Sequence, residues 1–355
     1  KVQASYRNRY SSGTENGVKV VRTPLMLRET MQGIWRLIAP LSFAVSSAPV
    51  VFWQILRKRP HTVFCVEPTL FAAPIAQLAA KLVGARTVLH VQDLEVDAAF
   101  AVGHLGSKTW LKKLGYAFER FTLARFHKVI TISNRMAEKL GEKGVAADRL
   151  AMIRNWVDLA HIYPMRSVSP YRAELGFSKN DFIVLYSGNI GAKQGLNVLL
   201  DAATKLCNYK NIRFVVAGEG PAKAQLQQRY GHLDNICFMP FQPYARLNEF
   251  MNMPDLHVLP QERGTADLVL PSKLSGMLAS GKTIVVTADE GTELAEFLAG
   301  AAVLVPPGDV EALHEAILIE SNCTSKGAES GLLLAQLLSK ERSLKELTEL
   351  YVRRA

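Results

Sequence analysis

Ser272 and Lys273 are the residues whose types and spacing best suit them to hold an anion. They stand in residues 266–281, ADLVLPSKLSGMLASG. An apolar approach carrying Asp267 and Leu270 leads to Pro271, and small and apolar residues run on to Gly281. The pattern predicts a helix with Ser272 and Lys273 in its first turn. A helix start presents unpaired N–H groups and the positive end of a dipole; one hydroxyl and one ammonium complete an anion cradle. Pro271 suits that region because it has no N–H to leave unpaired.

Four other turns could join it. Residues 187–195 read SGNIGAKQG, where Gly188, Gly191 and Gly195 let backbone approach a ligand and Lys193 adds a mobile positive charge. This is not a Walker loop, which closes with Gly-Lys-Ser/Thr. Residues 218–221, GEGP, place Gly218 and Glu219 in a G-x-G whose third fingerprint glycine is replaced by Lys223. A ligand turn and a plain tight turn both fit it. Residues 240–243 offer the Phe241 ring and Gln242 as a shelf for a nucleobase, or a loop packing its own Phe. Residues 288–294, ADEGTEL, put Glu290 and Glu293 at a helix start, as dipole partners or as acceptors for sugar hydroxyls. Phosphate donors after two strands, a base shelf after a third and carboxylates after a fifth suit a sugar nucleotide better than a dinucleotide or ATP.

Ligands of open α/β sheets sit at the carboxyl ends of strands, so these turns require parallel strands beneath them. Short β-branched runs do alternate with helical patterns. In the first part the strands are expected at 18–22, 62–66, 87–91, 128–132 and 152–154, with helices around 30–59, 71–83, 107–125 and 134–143. After a polar link at 158–170 the series restarts at 182–186, 213–217, 236–239, 256–259, 283–287 and 302–305. The expected fold is α/β: two doubly wound, Rossmann-like domains facing each other across a cleft. They span 1–163 and 164–338, with a C-terminal helix in 339–355 packing back toward the N-terminal domain.

With 355 residues the chain can build two cores, and its composition is that of a globular protein. Four scattered cysteines without a C-x-x-C pair or histidine companions imply a reducing, cytoplasmic compartment and no zinc site. The net charge of +10 is one-sided. Up to Pro164 there are 23 Lys and Arg against 11 Asp and Glu; the remainder has 19 against 21. The basic part predicts an anionic partner: a membrane surface, a diphosphate-linked lipid or nucleic acid. Residues 37–56 carry no charge and are bracketed by Arg36 and by Arg57, Lys58 and Arg59. Their length permits a membrane span. Pro40, Pro49 and three serines favour instead a half-buried helix with one face at the bilayer interface. The chain starts at Lys1, which reads as an incomplete beginning.

In order, GNIGAKQGL, VAGEGP, FMPFQP, LPSKLSGMLASGK and DEGTEL resemble the donor domain of family 4 glycosyltransferases with the GT-B fold. LHVQDLEVDA at 89–98, KVITIS and RNWVD at 154–158 resemble the matching acceptor domain and its exit. Within the family the chain is most similar to colanic-acid-type exopolysaccharide glycosyltransferases. The resemblance implies a retaining, metal-independent enzyme that uses a nucleotide-diphosphate sugar and needs no cofactor. Several positions depart from the family pattern. Asn189 and Gln194 occupy places usually held by Arg and Lys, which makes Lys193 the expected replacement charge. The family's paired glutamates fall at Leu268 and Gly276, leaving Asp267 as the nearest carboxylate. The family's opening strand and glycine-rich turn are not in the sequence.

The expected reaction moves a hexose or deoxyhexose to a lipid-linked oligosaccharide on the inner face of the plasma membrane. The resemblance points to GDP and fucose. With no D-x-D motif to hold a cation, Lys193, Lys273, Ser272 and helix N–H groups must stabilise the leaving diphosphate. Asp93, after the strand at 87–91, is the candidate to orient the acceptor hydroxyl. His90 reads as a core histidine, and Glu95 and Asp97 as surface or capping groups. Two rivals are a non-hydrolysing sugar-nucleotide 2-epimerase and a basic nucleic-acid or membrane adaptor. The adaptor leaves the phosphate-cradling turns unused, so nucleic acid is not the expected partner.

Overall fold

The structure is a computed structural model that describes residues 8–27, 35–68, 70–97, 109–191, 194–263, 270–323 and 328–352. The chain forms two compact units, Lys1–Ile153 and Arg154–Ala355.

The first unit opens with a hairpin, β1 (Ser11–Glu15) paired antiparallel with β2 (Val18–Arg22). Residues 18–22, expected as a strand of the parallel sheet, therefore lie outside it. The cause is Asn16-Gly17, both at positive φ (48° and 81°), the two-residue turn whose twist matches paired strands. Helix α1 (Trp35–Lys58) runs unbroken past Pro40 and Pro49. A four-stranded parallel sheet follows: β3 (Thr62–Glu67), β4 (Arg86–Val91), β5 (Lys128–Thr131) and β6 (Leu150–Met152), in chain order. Helices α2 (Ala73–Val83), α3 (Thr109–Leu123) and α4 (Asn134–Glu142) connect them. Val88, Leu89, Val91, Val129 and Ile130 are buried, as the near-continuous apolar runs of a covered parallel sheet require. Gly84 ends α2 at φ 72°, the left-handed cap that glycine supplies.

The second unit carries a six-stranded parallel sheet. Its strands are β7 (Phe182–Ser187), β8 (Ile212–Ala217), β9 (Ile236–Met239), β10 (Leu256–Leu259), β11 (Thr283–Thr287) and β12 (Val303–Val305). They lie in the order β12-β11-β10-β7-β8-β9. The winding direction reverses between β7 and β10, which makes their carboxyl ends the crevice where such sheets take ligands. Helices α5 (Pro170–Glu174), α6 (Leu196–Lys205), α7 (Lys223–Tyr230), α8 (Leu247–Met251), α9 (Lys273–Ala279), α10 (Glu293–Phe297) and α11 (Val310–Asn322) surround the sheet. Separate apolar clusters form, one around Leu199, Phe214 and Ile317 and another around Leu259, Met277 and Leu294.

The chain ends in α12 (Ala328–Leu337) and α13 (Lys340–Val352). The division between units falls at 153/154 rather than 163/164, because the link is bound into the second unit. Val157 N–H donates to Leu338 O, and Lys340 N–H donates to Val157 O, both at 2.9 Å. Lys340 Nζ also reaches Asp158 at 2.9 Å, tying the start of α13 to the link.

Candidate active site

The turn after β7 and the start of α9 meet at the reversal point. Lys273 crosses that gap, and its Nζ donates to Gln194 Oε1 at 2.9 Å. The ammonium sits 4.1 Å from the centroid of the Tyr186 ring, the last aromatic of β7. The Tyr186 hydroxyl donates to Asn189 O at 2.6 Å, so strand, turn and lysine are one assembly. No carboxylate among the described residues pairs with Lys273. Burial without a counter-charge disfavours the ammonium and brings the lysine down to about 7. An anion arriving here would restore the charged form.

A cavity of about 460 Å³ opens beside this lysine. Its walls include Ser187, Gly188, Ser272, Lys273 and Gly276, together with Asp158, His161 and Tyr244. That volume falls within the range of small-ligand sites. Ser272 is exposed and Lys273 half-buried. The helix they open has only seven residues, so the lysine charge outweighs its dipole. Pro271 O accepts from Leu274 N–H at 2.9 Å, and Leu270 packs on the apolar cluster under the helix. Lys193 and Asp267 lie outside the described residues.

The GEGP turn has a different part from that expected. A Cβ on Gly218 (φ 152°) would meet Gly188 O at 1.8 Å, and one on Gly220 would meet Ile190 O at 2.1 Å. Those glycines let the second turn press against the first; Gly188 N–H donates to Ala217 O at 2.9 Å. Gly218 thus supports the turn after β7 from behind, and Glu219 is exposed and paired with Lys223.

Three other sequence-selected residues do not line the cavity. Phe241 is 55% exposed. The Gln242 side chain is engaged away from the cavity, accepting from Tyr171 OH of α5 at 2.8 Å and donating to Pro240 O of its own loop. Tyr244 takes the aromatic wall instead, stacked on His161 with ring centroids 4.0 Å apart. Glu293, expected to meet sugar hydroxyls, is 6% exposed, and its Oε1 lies 2.9 Å from Arg154 Nη1. A largely buried guanidinium needs a counter-charge, and Glu293 supplies it. Glu290 is exposed after β11.

In the first unit Asp93 is exposed in the turn after β4. Glu95 caps backbone, its Oε2 accepting from Leu70 N–H at 2.9 Å. Asp97 and Glu119 both bind Lys143, and Tyr116 OH donates to Asp97. Sequence reasoning missed Glu67, which ends β3 and is 1% exposed. Burial first, then the charges of Glu95 and Glu119, raise it to about 9, so it is protonated at neutral pH. His90 is a buried core histidine, lowered by desolvation, with its ring 5.9 Å from Phe64. Among the described residues no group of three or more His, Cys, Asp or Glu could hold a metal ion.

Comparison with known proteins shows the family and the fold. Residues 168–323 match the family model "Glycosyl transferases group 1", and residues 2–156 match "Glycosyl transferase 4-like domain". The chain is 41% identical to the putative colanic acid biosynthesis glycosyl transferase WcaI of Escherichia coli, over 87% of this chain and 79% of the relative. It is 24% identical to the probable glycosyltransferase WbjE of Pseudomonas aeruginosa, over 74% and 67%. Among solved structures, sucrose-phosphate synthase from Thermosynechococcus elongatus superposes with TM-score 0.74 at 16% identity, covering 98% of this chain and 86% of that one. Anabaena HepE in complex with UDP and glucose superposes with TM-score 0.68 at 17% identity, over 94% and 87%. None of these matches supports an epimerase.

Proposed function

The chain belongs to the group 1 glycosyl transferases, with a 4-like domain ahead of it in a GT-B architecture, and from that premise we propose how it acts and on what. It is a glycosyltransferase. The second unit binds a nucleotide-diphosphate sugar, and the first binds a lipid-linked saccharide acceptor. The product belongs to a surface polysaccharide of the colanic acid type, a reading supported by the likeness to WcaI. HepE, solved with UDP and glucose, supports a nucleotide-sugar donor.

One observation carries the reading: a lysine at the sheet's reversal point, held by a neutral amide and an aromatic face beside a ligand-sized cavity. The donor diphosphate supplies the counter-charge that Lys273 lacks. Ser272 and the Asn189 N–H add hydrogen bonds, and Lys193 adds charge. As the glycosidic bond breaks, negative charge grows on the leaving diphosphate, and fixed positive groups stabilise it more than they stabilise the bound sugar. Retention follows from attack on an oxocarbenium-like state from the leaving-group side, with the diphosphate helping to take the acceptor proton. Asp93 orients the acceptor hydroxyl. The enzyme transfers a hexose or deoxyhexose without a metal ion and works in the cytoplasm at the inner membrane face.

The test is thermal stabilisation by a panel of nucleotide sugars and free nucleotide diphosphates, because a ligand that binds only the folded state raises its melting temperature. GDP-fucose and UDP-glucose head the panel. A shift with nucleotide diphosphates but none with nucleoside monophosphates supports the reading. No shift with any of them removes it.

A further inference from the structure

Helix α1 of the first unit turns its apolar side outward. Leu41, Val45, Pro49 and Trp53 recur every four residues and form one exposed stripe, with Val45 76% and Trp53 62% exposed. The opposite side holds the buried Ala39, Ser47 and Ile55. Segment Ile38–Lys58 is long and apolar enough to cross a membrane, yet only 17% of its apolar window is buried. A soluble helix of this composition would be covered by its own domain.

The helix is held along its length. Tyr10 OH donates to Ser46 O at 2.9 Å, Met26 N–H to Ser42 Oγ at 2.8 Å, and Ser46 Oγ to Pro24 O at 2.6 Å. Ile55 packs with Ala76 and Ala79 of α2. Crossing a bilayer would tear all of these contacts away, so the helix can meet lipid only with its long side.

We propose that the stripe on α1 lies in the interface of an anionic bilayer, parallel to its plane. Charge selects this occupant. Residues 1–153 carry 22 Lys and Arg against 10 Asp and Glu, a net of +12. Such a unit repels a second copy of itself and is drawn to anionic headgroups. Arg57, Lys58 and Arg59 follow the stripe directly, where they can meet phosphate while the preceding turns enter the acyl boundary. Trp53, an interface-seeking residue, lines a groove of about 500 Å³ with Pro49, Val50, Val21 and Lys19, the last two on β2. The same chemistry, an apolar wall beside a cation, suits a lipid chain near its headgroup.

This inference deepens the membrane side of the proposed function. Vesicle binding needs neither sugar nor nucleotide, so its failure would leave the donor assignment standing. The experiment is co-sedimentation with vesicles of phosphatidylcholine alone and of equimolar phosphatidylcholine and phosphatidylglycerol, at low and high salt. Binding should require phosphatidylglycerol and weaken with salt. The Val45→Asp/Trp53→Asp variant should bind about tenfold less or worse, its folding checked by far-UV dichroism and melting. Brominated lipids should quench wild-type tryptophan emission more than that of Trp53→Phe. Equal binding by the aspartate variant, equal quenching in Trp53→Phe, or a dimer that the aspartates dissolve would each overturn the proposal.

Discussion

Lys273 Nζ lies 2.9 Å from Gln194 Oε1, joining two residues 79 positions apart at the carboxyl edge of the second sheet. Gln194 stands where the resembled family carries a lysine. Lys273 brings a positive charge to this point from α9. The Gln194 amide positions the ammonium.

The two residues can be exchanged. Lys273→Gln alone should lower kcat/KM by roughly 10²-fold, the scale of losing one charge-stabilising donor. The double variant Lys273→Gln/Gln194→Lys should recover at least about tenfold of the loss, because it rebuilds one ammonium facing one amide. Steady-state kinetics of the four-member cycle read this directly. Additive losses would mean that the ammonium acts only from α9.

The lysine also sets a pH dependence. Its ordinary value of 10.5 is lowered to about 7 by burial, so above neutral pH Lys273 is mostly uncharged in the ligand-free protein. A diphosphate selects the charged form, and binding at pH 8 should take up close to one proton. Calorimetry in buffers of different ionisation enthalpy measures that uptake. The sign for stability is opposite to that of a paired lysine. Between pH 7 and 10.5 the unfolded chain holds a proton that the folded chain lacks, so the ligand-free fold gains stability as pH rises through this window. Lys273→Met should melt higher than wild type below pH 7, and its advantage should shrink as pH rises through that window. A constant gap would contradict the shift.

Glu293 separates a structural from a sugar-binding role. Glu293→Gln leaves the Arg154 guanidinium largely buried beside a neutral amide, and the loss should approach about 3 kcal/mol. Thermal and urea melts should show the loss, while KM for the donor stays within about twofold. A raised KM at unchanged stability would return Glu293 to the sugar.

Much of this was legible in the sequence. All six strands of the second sheet were expected within one residue of their ends, because a parallel sheet covered on both faces writes itself as apolar runs. Ser272, Lys273 and Gly188 were found from the same logic and do line the cavity. The hairpin was missed because strand periodicity cannot say which strands pair, although Asn16-Gly17 was its signal. Spacing could not reveal that Gly218 faces Gly188 O, or that Glu293 neutralises Arg154, 139 residues earlier. Tyr186 was not singled out from the sequence, because only its ring contact with Lys273, across 87 residues, sets it apart from the other buried residues of β7.

The central claim is that Lys273 takes the donor's diphosphate. Calorimetric titration of a nucleotide diphosphate into wild type and Lys273→Gln at pH 6.5, with folding confirmed for both, tests it most directly. The expected result is measurable binding by wild type, weakened by roughly tenfold or more in the variant, on the scale of one lost charge-assisted contact. Equal affinity in the two proteins would contradict it.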